Sequence, residues 1–310
     1  MKKSIIVLAG PTAVGKTEYA VEIAGRFDGE IVSADSMQLY KHMDIGSGKP
    51  DKAQLSRARH HLIGEIDPKE PFSVAEYKTL AKNAITDILE RGKQPIVSGG
   101  TGLYINSLIY DMDFTAPPAE SGYRLELERL AAEYGNEYIH KRLAGIDQKA
   151  AERIHPNNLK KVIRALEVAE NSDNRIKPFE DSFKAAKDYE ARLVCLTRER
   201  RELYGRINKR VDEFMEKGLP GEVKTLLDMG LTIGNNSMKG IGYKELIGFF
   251  SGEYDMERAV FLIKQNTRRY AKRQLTWFRR YENMKWFNIS EYKDEEEALE
   301  DVIKWLREKK

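Results

Sequence analysis

Gly10 to Thr17, GPTAVGKT, follow the apolar run Ser4 to Ala9 and fit the spacing G, four residues, G-K-[ST]. In that pattern the glycines let backbone N–H groups converge on phosphate oxygens at a helix N-terminus, the lysine adds a point charge, and the last hydroxyl reaches a Mg²⁺. Lys16 and Thr17 hold those two positions, with Pro11, Thr12, Ala13, Val14 and Gly15 forming the loop. The helical continuation through Tyr19, Ile23 and Phe27 supplies the strand, turn and helix context that a chance glycine-rich turn lacks. Asp35 ends a second apolar run, in SADSMQLY, and is followed by Ser36, Met37 and Gln38. A carboxylate beside a phosphate loop can take a proton from an attacking nucleophile; alone it reads equally as a turn or helix-cap aspartate. In SGGTGLY, Ser98 to Tyr104, glycines surround Thr101, so the backbone can approach a ligand closely, although a plain strand-to-helix turn has the same composition.

Charge distribution adds a second theme. Net charge is only +3, yet Lys264 to Arg280 carries seven basic residues (Lys264, Arg268, Arg269, Lys272, Arg273, Arg279, Arg280) and no acidic one. Helical spacing puts Arg268, Lys272 and Arg279 on one face, with Arg269, Arg273 and Arg280 beside them, while Tyr270 and Trp277 either stack on bases or pack inward. A charge run is ordinarily a solvated face, but seven uncompensated positives favour contact with phosphates. On that reading Arg268→Ala or Lys272→Ala should each lower the salt slope of nucleic-acid binding by about 1. Lys160, Lys161 and Arg164 form a weaker patch of the same kind. His60, His61 and Asp67 complete no ligand set at zinc spacing and read as structural, and His155, before Pro156, reads as a helix-end residue. Cys195 stands alone, which excludes a disulfide framework or a cysteine zinc module within one chain.

The elements that must position these residues are legible in outline. Short apolar runs at Ser4 to Ala9, Glu30 to Ser33, Pro95 to Ser98 and Arg192 to Thr197 alternate with amphipathic stretches, the pattern of a parallel sheet flanked by helices. The first three end at Gly10, Asp35 and Gly99, so chemistry is expected at the carboxyl ends of the strands. Between Pro117 and Tyr189 the pattern is helical only: Tyr123 to Tyr134 closes at Gly135, and Asn158 opens a helix with Leu159, Val162, Ile163 and Leu166 as its apolar stripe. The predicted architecture is an α/β fold, a P-loop-type parallel sheet flanked by helices, spanning residues 1–116 and 191–310, with an all-helical insertion domain at 117–190. A long helix is predicted over Glu199 to Lys217, stopped by Gly218 and Pro220 and carrying Arg206 and Arg210 one turn apart, and another over Asp294 to Lys309. With 33% charged residues and no run of 18 apolar ones, a soluble globular protein without a membrane span is expected. The apolar start is too short for a signal peptide and runs straight into the loop, so a cytoplasmic location is expected.

Taken together, GPTAVGKT, DSMQLY, MDIGSGKP, HHLIGEIDP, SGGTGLY, HPNNLKKVIRALEV, KGIGYKE and TRRYAKRQLTWFRR occur in order between residues 5 and 287 and closely resemble the bacterial tRNA dimethylallyltransferases. Members of that family transfer a dimethylallyl group from its diphosphate to the exocyclic amine of the adenosine just 3′ of the tRNA anticodon. The resemblance implies that the cradle from Gly10 to Thr17 holds a leaving diphosphate, with Mg²⁺ on Thr17, Lys16 on the phosphates and Arg206 reaching the same group. It implies that Asp35 is the base and that Thr101 holds the amine. Contacts to the tRNA anticodon stem-loop are implied for Ser36, Met37 and Gln38, Arg124, Lys160, Lys161 and Arg164, the Gly240 to Ile247 segment with Gly242 and Lys244, and Arg268, Arg269, Lys272 and Arg273. Dimethylallyl diphosphate is the implied donor, and a monomer is expected. Departures are small: Val14 stands where the family often has Ser, Ser47 and Gly48 replace a common Thr-Ala pair, and Gly64-Glu65 varies the segment after the histidines. A phosphate-loop kinase of a small metabolite, prenyl transfer to free adenine nucleotides, and a non-catalytic RNA-binding module remain as alternatives. A small-molecule kinase has no use for the basic tract, and binding alone needs neither Asp35 nor Thr17.

Overall fold

The computed structural model describes residues 3–112, 121–171, 186 and 188–308. Six parallel strands, β1 (Lys3–Ala9), β2 (Gly29–Ser33), β3 (His60–His61), β4 (Gln94–Gly99), β5 (Tyr189–Thr197) and β6 (Lys285–Asn288), form one sheet in the order β3-β2-β4-β1-β5-β6. Helices α1 (Lys16–Arg26), α2 (Lys52–Arg57), α3 (Val74–Glu90) and α4 (Gly102–Ile109) fall between and after the first four strands. Then come α5 (Ser121–Tyr134), α6 (Asn136–Ile146), α7 (Gln148–Arg153) and α8 (Leu159–Asn171). After β5 follow α9 (Arg200–Glu216), α10 (Leu219–Asp228), α11 (Tyr243–Phe250), α12 (Met256–Phe278) and α13 (Glu295–Glu308).

Contacts divide the chain into two compact units, Met1–Ile109 with Ala186–Lys310, and Tyr110–Ala185. The boundary expected at 116/117, and Lys309 at the expected end of the last helix, lie outside the described residues. The four strands expected from sequence are present, the fourth beginning three residues earlier, at Tyr189. β3 and β6 were not anticipated, because two and four residues are too few for a hydrophobic period to register.

β1 is inaccessible to solvent from Ile5 to Ala9, as a central parallel strand covered on both faces must be. Its neighbours set the site: Ala9 lies opposite Gly99 of β4, and Ser33 of β2 lies opposite Ser98. Thus the ends of β1, β4 and β2 stand side by side, with β4 between the strands that carry the phosphate loop and Asp35. α9 buries Leu203, Ile207 and Val211 and ends before Gly218, whose left-handed φ of 92° suits only a residue without Cβ strain. In the second unit, α5 to α8 pack around Leu127, Ile139, Leu143, Val162 and Leu166. Among the described residues no helix is long and apolar enough to cross a membrane.

Candidate active site

The phosphate loop leaves β1 at Gly10, where a Cβ would meet the Leu196 carbonyl oxygen at 2.7 Å. Ala13 and Gly15 take positive φ, 64° and 110°, which turns successive N–H groups to one side. Gly15 precedes α1 and has no side chain to cap it, so the first helical N–H groups are left for a ligand. Two arginines brace the back of the loop. Arg198 Nε donates to Val14 O and Arg206 Nε to Ala13 O, both at 3.0 Å, and both guanidiniums pair with Glu295. Lys16 Nζ donates to Pro11 O at 2.8 Å. Burial lowers its pKa to about 8, partly opposed by the charge of Asp35.

That shift has a measurable consequence. A lysine with a lowered pKa carries its charge below pH 8 and loses it above, so its attraction for a diphosphate fades as pH rises. Pyrophosphate affinity is expected to fall about tenfold between pH 7 and pH 9 beyond the change in Lys16→Arg, whose guanidinium does not titrate there. Titration calorimetry of the two proteins across that range checks it.

On the acceptor side, Asp35 Oδ1 accepts the Met37 N–H at 2.9 Å, which fixes the carboxylate at the head of its turn. Thr101 Oγ1 accepts the Ser36 N–H at 3.0 Å, and Thr101 N donates to Ala34 O at 3.0 Å. The two loops are therefore tied together, and the Thr101 oxygen keeps one acceptor lone pair for another partner. The approach requires glycine: a Cβ at Gly99 would lie 2.2 Å from Ala34 O. Gln38 is held at both ends, Oε1 by the Ser33 hydroxyl and Nε2 on Gly48 O, each at 3.1 Å. Met37 lies against Gly240, where a Cβ would approach its Cε to 2.5 Å.

Thr12, Lys16, Thr17, Asp35, Ser36, Met37, Gln38, Arg206, Gly240, Gly242, Lys244 and Arg273 all line one cleft of about 580 Å³. Phe214, Val211, Leu219, Ile241 and Ile263 give it an apolar wall. A second cleft of about 1050 Å³ shares Gly15, Thr17, Arg206 and Arg210 with it and carries Lys41, Lys52, Lys209 and Lys217.

Three contributors were missed in the sequence. Arg210 lines both clefts; burial lowers its pKa, the charge of Asp35 opposes that, and a Cβ at Gly48 would collide with its guanidinium. Its position one turn after Arg206 was the available signal. Glu222 of α10 accepts the N–H groups of Asp44, Ile45 and Gly46 and the Tyr243 hydroxyl, which holds the MDIGSGKP loop in place. Gln274, from the basic tract, bonds to both the phosphate loop and the Gly100 turn.

The basic tract is α12, and one stripe of it faces the site. Asn266 bonds Glu245, which also accepts the Gly242 N–H, and Trp277 covers Gly102, so this tryptophan packs inward. Arg269, Lys272, Arg273 and Arg279 are exposed. Two of the seven basic side chains make contacts within the protein: Lys264 pairs with Asp212 and Arg268 donates to Asn208 Oδ1, each at 2.6 Å. The pair of expected salt-slope effects therefore divides. Lys272→Ala is expected to lower the slope of log K against log salt by about 1 in filter binding with tRNA. Arg268→Ala removes a bond between α12 and α9 and leaves the slope unchanged.

In the second unit, Arg124 makes a two-pronged contact with Glu167 at 2.7 and 2.9 Å, and Arg164 reaches the same buried carboxylate at 3.2 Å. Lys160 and Lys161 are exposed. His61 bonds Glu30 and His60 contacts Ala58 O, in keeping with a structural role for both.

Residues 38–281 match the family model described as IPP transferase. The chain belongs to the IPP transferase family. This transferase is 52% identical over 304 residues to a tRNA dimethylallyltransferase of Alkaliphilus oremlandii, covering 98% of this chain and 97% of the relative. It is 46% identical over 309 residues to one from Clostridioides difficile, covering 99% of each. Among solved structures, the full-length tRNA isopentenylpyrophosphate transferase of Bacillus halodurans superposes with a TM-score of 0.76 at 42% identity, over 99% of the transferase and 97% of that chain. A eukaryotic dimethylallyltransferase caught acting on tRNA gives a TM-score of 0.76 at 29% identity, over 89% and 70% respectively.

Proposed function

We propose that the protein is a tRNA dimethylallyltransferase that moves the five-carbon group of dimethylallyl diphosphate to N6 of the adenosine 3′-adjacent to the anticodon. The carrying observation is that the phosphate loop and Asp35 line one cleft with an apolar wall, while Thr101 is hydrogen-bonded to Ser36 of that lining. The diphosphate end of the donor lies in the loop, and its dimethylallyl end rests against Phe214, Val211 and Leu219. The adenine amine donates one hydrogen bond to the Thr101 oxygen and attacks the allylic carbon while Asp35 takes its second proton. As the carbon–oxygen bond breaks, charge gathers on the diphosphate, and Lys16, Arg206, Arg210 and the loop N–H groups neutralise it in a partly desolvated site.

Thr17 suits a Mg²⁺ that draws its other ligands from substrate phosphates and water, the usual habit of that ion beside such loops. Bound there, Mg²⁺ would supply Lewis-acid stabilisation of the leaving group. An adenosine inside a stem-loop must leave its stack to reach the cleft, and Arg269, Lys272 and Arg273, with Lys160 and Lys161 of the helical insertion, would hold the RNA backbone while it does so. The protein is proposed to act as a monomer in the cytoplasm, where its RNA substrate is made. The test is to incubate it and Mg²⁺ with labelled dimethylallyl diphosphate and unmodified tRNA, AMP or no acceptor, and separately with ATP in place of the donor. Label in tRNA alone is expected; label in AMP, or phosphate transfer from ATP, would refute the proposal.

A further inference from the structure

Gln274 is only 5% exposed and spans the two halves of the cleft. Its Oε1 accepts the Thr12 N–H at 2.9 Å and its Nε2 donates to Gly100 O at 2.9 Å. These partners set the orientation of the amide, since an N–H requires the oxygen and a carbonyl requires the nitrogen. The fit is close: a Cβ at Gly100 would lie 2.2 Å from Nε2.

In loops of this type that hold a triphosphate, backbone N–H groups cradle the inner phosphates and the lysine reaches the outer ones. Here the third residue of the loop has already given its N–H to a side chain. An outer phosphate that extended past the lysine towards Thr12 would meet an amide oxygen, an acceptor, and find no free N–H there. We infer that Gln274 sets the length of polyphosphate the cradle accepts, leaving donors for a diphosphate and withholding one from a third phosphate. The inference rests on the proposed reading of the loop as a diphosphate cradle. It makes Gln274 a specificity-determining residue that acts through Thr12 and touches no reacting atom.

The test is calorimetric titration of wild type and Gln274→Ala with pyrophosphate and with tripolyphosphate, each with Mg²⁺. A hydrogen bond to a charged group is worth enough that wild type is expected to prefer pyrophosphate at least about tenfold, and the variant about threefold or less, through a gain in tripolyphosphate affinity. Mere loosening of the fold would weaken both ligands together and leave their ratio unchanged. An unchanged ratio, or a wild type with no preference, overturns the inference while the cradle reading stands. A wild type that binds neither ligand overturns both. Amide NMR of wild type needs no variant: pyrophosphate is expected to shift the Ala13 to Thr17 resonances and leave that of Thr12, and a large shift at Thr12 overturns the inference.

Discussion

Asp35→Asn is expected to lower single-turnover transfer to tRNA by about 100- to 10,000-fold, or roughly 3 to 5 kcal/mol of barrier. The substitution keeps the shape of the side chain and an oxygen for the Met37 N–H, so the turn that presents it is preserved. What it removes is the ability to take a proton from the amine. Affinity for tRNA, measured by filter binding, is expected to stay within about threefold of wild type, because most of that energy comes from phosphate contacts elsewhere. Full turnover in Asp35→Asn would take the carboxylate out of the mechanism.

Lys16→Met is expected to lower kcat/KM for the donor by about 100- to 1,000-fold, the range seen when a donor to a developing oxyanion is lost. The methionine fills the same space in the loop but brings no charge. Arg206 and Arg210 remain and account for the residual rate: Arg206 is held on the Ala13 carbonyl, and Arg210 is sunk beside Asp35. Steady-state kinetics with donor as the varied substrate checks this. A loss below about threefold would mean that the ammonium keeps its bond to Pro11 O during the reaction.

The phosphate loop was legible because its meaning lies in local spacing: the glycines, Lys16 and Thr17 fall within eight residues, and their strand and helix flank them directly. Asp35 and Thr101 were legible as strand-end residues, and the sheet order brings them together through β4. Gln274 was hidden for the opposite reason. Its bond to Thr12 joins positions 262 apart, and within NTRRYAKRQLTWFRR its neighbours drew attention to charge. A charge's partner is invisible when it is remote in the chain, as with Lys264 and Asp212. For Arg164 the partner was within reach, since Glu167 lies three residues on, one turn along the same helix. Glu222 gave no signal at all, because accepting three N–H groups of a distant loop leaves no pattern in its own helix.

The most direct measurement is a crystal structure with an unreactive thio-diphosphate analogue of the donor and an anticodon stem-loop. The expected result is a diphosphate held by the Gly10 to Thr17 backbone and Lys16, with the amine of an extruded adenine within hydrogen-bond reach of both Asp35 and Thr101. An empty phosphate loop, or an adenine amine directed away from Asp35, would contradict it.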